Sequence, residues 1–523
     1  MTPHQTLDFD SCYRAVSARD TRFDGRFYSA VTSTGIYCRP ICPARTPARR
    51  NIRFYRHAAA AEAAGFRPCR RCRPELSPGD PGWDVPADLV GRALRLIDEG
   101  VADEYGVAGL AGRLHITERH LLRLFTAQLG AGPLAVARTR RLLLAKQLLT
   151  ETSLTVTDVA FAAGFGSVRQ FNATMKDAYG FAPGELRTAS SGPTARAAAR
   201  VPPSPEGTPG APGGGSGASG GGSGASGGGT GASPAALTLR LTYRAPYDAP
   251  ALLAFLAARA VPGVEEAGPG GYRRTVQGGT VTLTPADGHV RLSVTLDDTR
   301  RLPRVVARCR RLLDLDSDPA AIADALGATA LRPLVESRPG LRVPGAFDGF
   351  ELAVRAVVGQ QVSVAGARTL LGRVAARAGT AIPASPGRDG APAAGAEEGV
   401  PGGLHLLFPD AERLAQADLS GLGLTGRREA TLRALAEKTA SGEIDLDGGA
   451  DPAETTARLL ALPGIGPWTA GYIVMRALRD PDAWPVDDLV LLRAMKALGV
   501  PPTEPERWRP WRAYAAMHLW SSS

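Results

Sequence analysis

Cysteine is scarce in this chain, with six residues in 523, and aromatic residues make up only 6%. No apolar run approaches the roughly 20 residues that cross a bilayer as a helix. The opening MTPHQTLDFDSCYRAV has neither the basic head nor the apolar core of a secretory signal. These absences argue against a disulfide-stapled secreted scaffold and against a helical membrane protein. They lead to the expectation of a soluble, cytoplasmic protein with no membrane partner. A reducing compartment disfavours disulfides, so the few cysteines need another explanation.

At this length one core does not suffice, and two to four domains are expected. The net charge is +10, and its placement is uneven. Between Cys38 and Arg73 stand ten arginines and one acid, Glu62, whereas from residue 236 onward 33 basic residues nearly balance 32 acidic ones. A solvated face usually mixes Lys and Glu. A concentrated arginine patch instead favours a phosphate-rich partner.

Four cysteines fall inside that patch: Cys38, Cys42, Cys69 and Cys72, spaced C-x3-C and C-x2-C. Two close pairs suit a tetrahedral Zn²⁺. Zinc keeps its sulfurs as thiolates, which is the nucleophilic form. Spacing alone leaves open whether the metal only staples a small domain or also readies a sulfur for attack.

Composition divides the chain into residues 1–80, rich in Arg and Pro, and a helix-patterned stretch over 86–187. A Gly/Ser/Pro-rich tract at 188–235 cannot bury a core and is expected to be a tether. Beyond it, 236–335 opens with strand-like alternation, and 336–523 is helical with an exposed insert near 383–403.

Within the middle stretch, VAGLAGRLHITERHLLRLFTAQLG (107–130) and VTDVAFAAGFGSVRQFNATMKDAYG (156–180) each read as helix, turn and polar-faced second helix. Gly164 suits the turn, and Phe165, Phe171 and Tyr179 suit packing. In the last region, LLALPGIGPWTAGYIVMRAL (459–478) places Pro463-Gly464-Ile465-Gly466 between two helices. Such a hairpin is either an ordinary turn or a set of outward N–H groups able to hold a phosphate. Twenty residues past Trp468, Asp487 and Asp488 open another helix, and one of the two is expected to cap it.

These motifs carry three resemblances. RFDGRFYSAVTSTGIYCRPICPAR followed by AAGFRPCRRCRPE resembles the N-terminal domain of the Ada family over residues 8–75. That likeness implies that Cys38, bound to one Zn²⁺, takes a methyl from a DNA phosphotriester, with phosphate contacts from Thr34, Arg45 and Arg67. Residues 86–187, ending GFAPGELR, resemble the AraC-type DNA-binding domain, which implies candidate contacts from Arg119, His120, Arg123, Arg169, Gln170 and Asn172. Residues 236–523 resemble AlkA-type helix-hairpin-helix glycosylases, through APYDAPALLAFLAARAVPGVE, GLRVPGAFDGFELAVRAVVGQQVSVAGA and WRPWRAYAAMHLW.

The last resemblance implies a catalytic carboxylate at Asp488, with Asp487 as its neighbour. It also implies stacking of an extruded base on Trp468, Tyr472 and Trp520, and phosphate contact at Gly464 and Gly466. Gln361, in GQQVS, departs from the pattern by standing where such enzymes wedge an apolar residue into the stack. Trp468 stands where bifunctional relatives carry a Schiff-base lysine, so a monofunctional enzyme is implied. No cofactor is needed for this half, though a monovalent cation at the hairpin is compatible with it. The expected substrates are bases of the 3-methyladenine and 7-methylguanine type.

The expected fold is multidomain: a small zinc-bound α/β domain, an all-α double helix-turn-helix, then an α+β module with an antiparallel sheet and a helical hairpin domain. The expected partners are double-stranded DNA, methylated and promoter, together with RNA polymerase, in a nucleoid-associated setting. An O6-methylguanine domain is not expected, because the Pro-Cys-His-Arg motif is missing and Cys309 reads as a helix face. The competing expectation is a transcriptional regulator whose glycosylase-like half binds damage without catalysis.

Overall fold

The computed structural model describes residues 7–79, 89–190, 237–382 and 403–522. The Gly/Ser-rich tract and the insert near 383–403 lie outside them, save for residues 188–190 and Gly403. Residues 188–190 complete a helix, Pro183–Ser190, so helical structure runs three residues past the expected boundary at 187. Among the described residues no helix is long and apolar enough to cross a membrane.

The first unit packs two helices, Phe9–Ala18 and Ala58–Ala63, on a small sheet of order β3-β1-β2-β4. Its strands are β1 (Tyr28–Val31), β2 (Ile36–Cys38), β3 (Ile52–Tyr55) and β4 (Arg67–Pro68). Gly35, with φ of +65°, permits the tight turn between β1 and β2. The unit's apolar core is split in two, with Tyr28, Ala30, Tyr37 and Phe66 in one cluster and Val16, Phe27 and Ile52 in the other, so each is small.

The middle unit repeats one device twice. Helices Val101–Arg113 and Val156–Ala162 lead through short turns into Glu118–Leu129 and Val168–Tyr179. Thr117 and Ser167 cap these second helices, each hydroxyl accepting from the N–H three residues on. Gly130 and Gly180, both left-handed, stop them. Gly164 turns at φ of +90°, and Phe165, Phe171 and Tyr179 are buried as their spacing indicates. The helix Pro133–Glu151 joins the two devices.

The last region begins with an antiparallel sheet of order β5-β9-β8-β7-β6. The alternation in LTLRLT makes β5 (Leu237–Thr242), burying Leu237, Leu239 and Leu241. β8 (Gly279–Ala286) and β9 (His289–Leu296) form the hairpin read from sequence. The pair β6 (Glu265–Gly268) and β7 (Gly271–Val276) was not marked by alternation, because β7 buries three consecutive residues, Arg274, Thr275 and Val276. Helices dominate thereafter, around one core that includes Leu352, Val357, Leu432, Ile473 and Leu519. Two short strands, β10 (Thr380–Ala381) and β11 (Leu406–Leu407), interrupt them.

Candidate functional site

Parallel pairing of β2 and β4 places Cys38 beside the segment that leads into Cys69, whose N–H donates to the Tyr37 carbonyl at 2.9 Å. A turn closed by the Cys42 N–H on the Arg39 carbonyl returns Cys42 to the same point. The sulfurs of Cys38, Cys42, Cys69 and Cys72 all lie within 4.8 Å of one another, and each residue is buried. Zinc bonds of about 2.3 Å would space four sulfurs by about 3.8 Å, so the quartet fits that ion. Its chemistry fits as well. Crowding pushes the Cys38 thiol up, first through its hydrogen bond with Cys42, and the same hydrogen bond holds the Cys42 thiol down. A divalent cation in place of those shared protons lets all four ionise.

Backbone N–H groups of Arg39 and Arg71 donate to the Cys72 and Cys69 sulfurs at 3.3 and 3.4 Å. The Arg39 guanidinium is itself fixed by Asp24 (Nε to Oδ1, 2.9 Å) and by the Cys72 carbonyl. Thr34, Arg45 and Arg67 are exposed in this unit. On the second helices of the middle unit, Arg119, Arg123, Arg169, Gln170 and Asn172 are exposed, while His120 is half-buried and contacts Arg123 at 2.9 Å.

In the last region the hairpin joins helices Pro452–Leu460 and Pro467–Ala477, as the sequence indicates. Gly464 has φ of +90°, and a Cβ there would meet Thr431 Oγ1 at 2.2 Å. Gly466 caps the second helix, and among the described residues it has no side-chain cap bond. Of the two acids, Asp488 is buried and caps helix Leu489–Ala497, while Asp487 is exposed with φ of +61°.

The Asp488 carboxylate does more than cap. Its Oδ1 accepts from the Val490 and Leu491 N–H groups at 2.9 Å each and from Trp520 Nε1 at 3.2 Å. Its Oδ2 accepts from Trp468 Nε1 at 2.7 Å. Trp468 stacks on Tyr472, with ring centres 5.3 Å apart and planes 9° apart, and Trp520 lies edge-on to Tyr472 at 6.4 Å. The structure thus gathers Asp488, Trp468, Tyr472 and Trp520 into one cluster and leaves Asp487 outside the hydrogen-bonded set. Burial works against ionisation of the Tyr472 hydroxyl, but Arg476 and Arg259 outweigh it and hold the group below its ordinary value. The Arg476 bond to that hydroxyl is 2.7 Å.

Three family models match separate parts of the chain: the metal binding domain of Ada over 11–75, a helix-turn-helix domain over 110–189, and the AlkA N-terminal domain over 238–348. A probable bifunctional transcriptional activator/DNA repair enzyme AlkA from Mycobacterium tuberculosis is 46% identical over 526 residues, covering 98% of this chain and 96% of that protein. The chain belongs to this bifunctional activator/DNA repair AlkA family. Its two halves are also matched separately. DNA-3-methyladenine glycosylase 2 of Escherichia coli is 34% identical over 54% of this chain and 95% of its own length. The E. coli activator/repair enzyme Ada is 40% identical over 26% of this chain and 38% of its own length.

Several residues of this bifunctional chain's sites carry no clear sequence signal. Asp24 and Arg476 stand within the quoted stretches without a role of their own; folding places Asp24 on Arg39, and helical i,i+4 spacing places Arg476 on Tyr472. Gln360 was present in GQQVS without a role. Its Nε2 donates to the Gly464 carbonyl and to Thr469 Oγ1 at 3.0 Å each, tying that loop to the hairpin. Arg428 donates to its carbonyl. This bracing presents Gln361, exposed and left-handed at φ of +54°.

Proposed function

We propose that the chain senses DNA methylphosphotriesters through Cys38 and releases alkylated bases through Asp488. The arrangement of Asp488 carries the enzymatic half: a buried carboxylate held by four N–H donors, two of them from indoles that pack with Tyr472. Retention of that set weighs against a half that binds damage without catalysis.

In the sensor half, Cys38, Cys42, Cys69 and Cys72 hold one Zn²⁺, which supplies the charge that keeps the sulfurs as thiolates. A methylphosphotriester is neutral and approaches a thiolate without repulsion. Cys38 Sγ bonds the methyl carbon as the carbon–oxygen bond breaks, leaving an ordinary phosphodiester anion and a thioether that is not regenerated. The cluster loses one negative charge, which lessens its repulsion of DNA phosphates. Thr34, Arg45 and Arg67 hold phosphates there. Arg119, His120, Arg123, Arg169, Gln170 and Asn172 read promoter DNA, and RNA polymerase is the partner of the activated form.

In the enzymatic half, Gly464 and Gly466 present backbone N–H groups to a phosphate, a role compatible with a monovalent cation at the hairpin, and Gln361 enters the gap left by the extruded nucleotide. A cationic base stacks on Trp468, Tyr472 and Trp520, favoured by cation–π attraction. Asp488 stabilises the positive charge that develops on the sugar as the glycosidic bond opens, and orients the attacking water. With Trp468 at the position of an imine-forming lysine, the reaction is hydrolysis alone.

The test uses the full chain on alkylated DNA. One added methyl per molecule, located on Cys38 by mass spectrometry, and many free bases per molecule are expected. No methyl on Cys38 would leave zinc as a staple, and base release no faster than that of an Asp488→Asn variant would remove the enzymatic half.

A further inference from the structure

The two halves are not merely strung together. Arg244, just past β5, is buried at 6% exposure and donates to three backbone carbonyls. Two belong to the sensor, Asp24 at 2.7 Å and Gly79 at 2.6 Å, and one to its own half, Asp316 at 3.0 Å. A second seam lies along helix Leu89–Asp98. Arg92 donates to the Gly449 carbonyl at 2.6 Å, and Glu99 pairs with Arg311 at 2.6 Å, both side chains buried. Gln147 and Glu151 bond the carbonyl and N–H of Arg240 at 3.0 and 3.2 Å, so the linking helix also closes the open edge of β5. A cavity of about 340 Å³ lies between these seams.

From Arg244 a buried polar chain runs inward. The Arg244 carbonyl accepts from Arg342 Nη2 at 2.6 Å. Arg342, 1% exposed, also donates to the Asp314 carbonyl at 3.4 Å. The Asp314 carboxylate then accepts from Arg479 at 2.8 Å and from the Tyr514 hydroxyl at 2.9 Å. Arg479 lies two residues beyond the helix bearing Trp468 and Tyr472, and Tyr514 lies on the helix Arg512–Trp520 that bears Trp520.

We propose that the regulator half is a docking surface for the glycosylase half of the same chain, and that docking positions the two helices carrying the base-stacking aromatics. Asp314 is the positioning residue in this arrangement. Buried guanidiniums left without their carbonyls would be costly, so the bonded geometry is strongly preferred once formed. The second clause rests on the glycosylase reading above; the docking clause does not.

The test introduces a protease site within residues 191–236 of the full chain and cuts it. At about 0.15 M salt, where separated exposed charges are largely screened, the cut halves should co-migrate on gel filtration and release bases as the uncut chain does. Arg92→Ala with Glu99→Gln weakens the seam along helix Leu89–Asp98 while altering no glycosylase residue, and Arg244→Ala added to them removes the seam at Asp24 and Gly79 as well. The undocked halves should separate, with kcat for base release lowered about fivefold, the low end of coupling between linked sites. Separation of the cut wild-type halves, or continued co-migration of the triple variant, overturns the docking surface. Separation of the regulator-side variant at full kcat overturns the positioning role. Absence of base release in the uncut wild type would instead strike the glycosylase reading.

Discussion

Replacing Asp488 by asparagine isolates one charge in a site whose geometry is otherwise kept. The amide oxygen of D488N can still accept from the Val490 and Leu491 N–H groups, so the helix cap survives. The amide nitrogen takes the place of Oδ2, 2.7 Å from Trp468 Nε1, and two donors then face each other. An indole N–H left unsatisfied costs about 1–3 kcal/mol of stability. The larger loss falls on the reaction, where removal of one preorganised stabiliser of developing charge lowers kcat by about 10²–10³, or roughly 2.7–4 kcal/mol. KM should change little, because Asp488 is buried and its hydrogen bonds go to the helix start and the two indoles. The assay is release of free base from methylated duplex DNA under multiple turnover, beside a thermal melt. Asp487→Asn is the control: that side chain is exposed, and surface changes stay within about 0.5 kcal/mol. A D488N protein that melts normally and keeps more than about a tenth of its kcat, less than 1.4 kcal/mol of loss, would refute the assignment. So would a D487N protein as impaired as D488N.

Three further outcomes are expected. Gly464→Ala places a Cβ 2.2 Å from Thr431 Oγ1 at a left-handed residue and should destabilise by about 2 kcal/mol or more, read as a fall in Tm with weaker DNA binding. Arg476→Ala removes the nearest cation and the hydrogen bond from the Tyr472 hydroxyl, so spectrophotometric titration should show the lowest tyrosine transition moving to higher pH. His518 is buried, and that burial, with Arg338 nearby, lowers its pKa from 6.5 to about 4. The unfolded chain therefore binds the proton first, and stability should fall as pH drops from about 6.5 to about 4. The loss at that site is on the order of 3 kcal/mol, read by denaturant unfolding as the difference from His518→Gln, because His57, lowered to about 4 by burial, adds the same trend to both proteins.

The quartet and the hairpin were legible because their chemistry is local. Cys38 and Cys42 are four residues apart, Cys69 and Cys72 three, and any fold that serves a tetrahedral ion must bring such pairs together. Asp488 was legible for a similar reason, since an acid at a helix start declares its capping role in sequence. Spacing did not divide the labour between Asp487 and Asp488, which only the resemblance assigned, because the division turns on a backbone rotation at Asp487 and on two indoles 20 and 32 residues away. The β6–β7 hairpin escaped notice because Arg274 is buried beside Glu351, so a charged residue sits where alternation would call for an apolar one.

By itself, then, the sequence determined the classes of structure along the chain: a cysteine-held unit, paired helix-turn-helix devices, and a sheet followed by a helical hairpin region. Periodicity, turn residues and ligand spacing act over a few residues and are written directly in the chain. Tertiary structure alone decided which polar groups meet. Asp24 on Arg39, Gln360 on the hairpin and Arg244 across the seam join segments 15 to more than 200 residues apart. Such bonds depend on burial and on the absence of competing water, conditions that exist only once the core has closed.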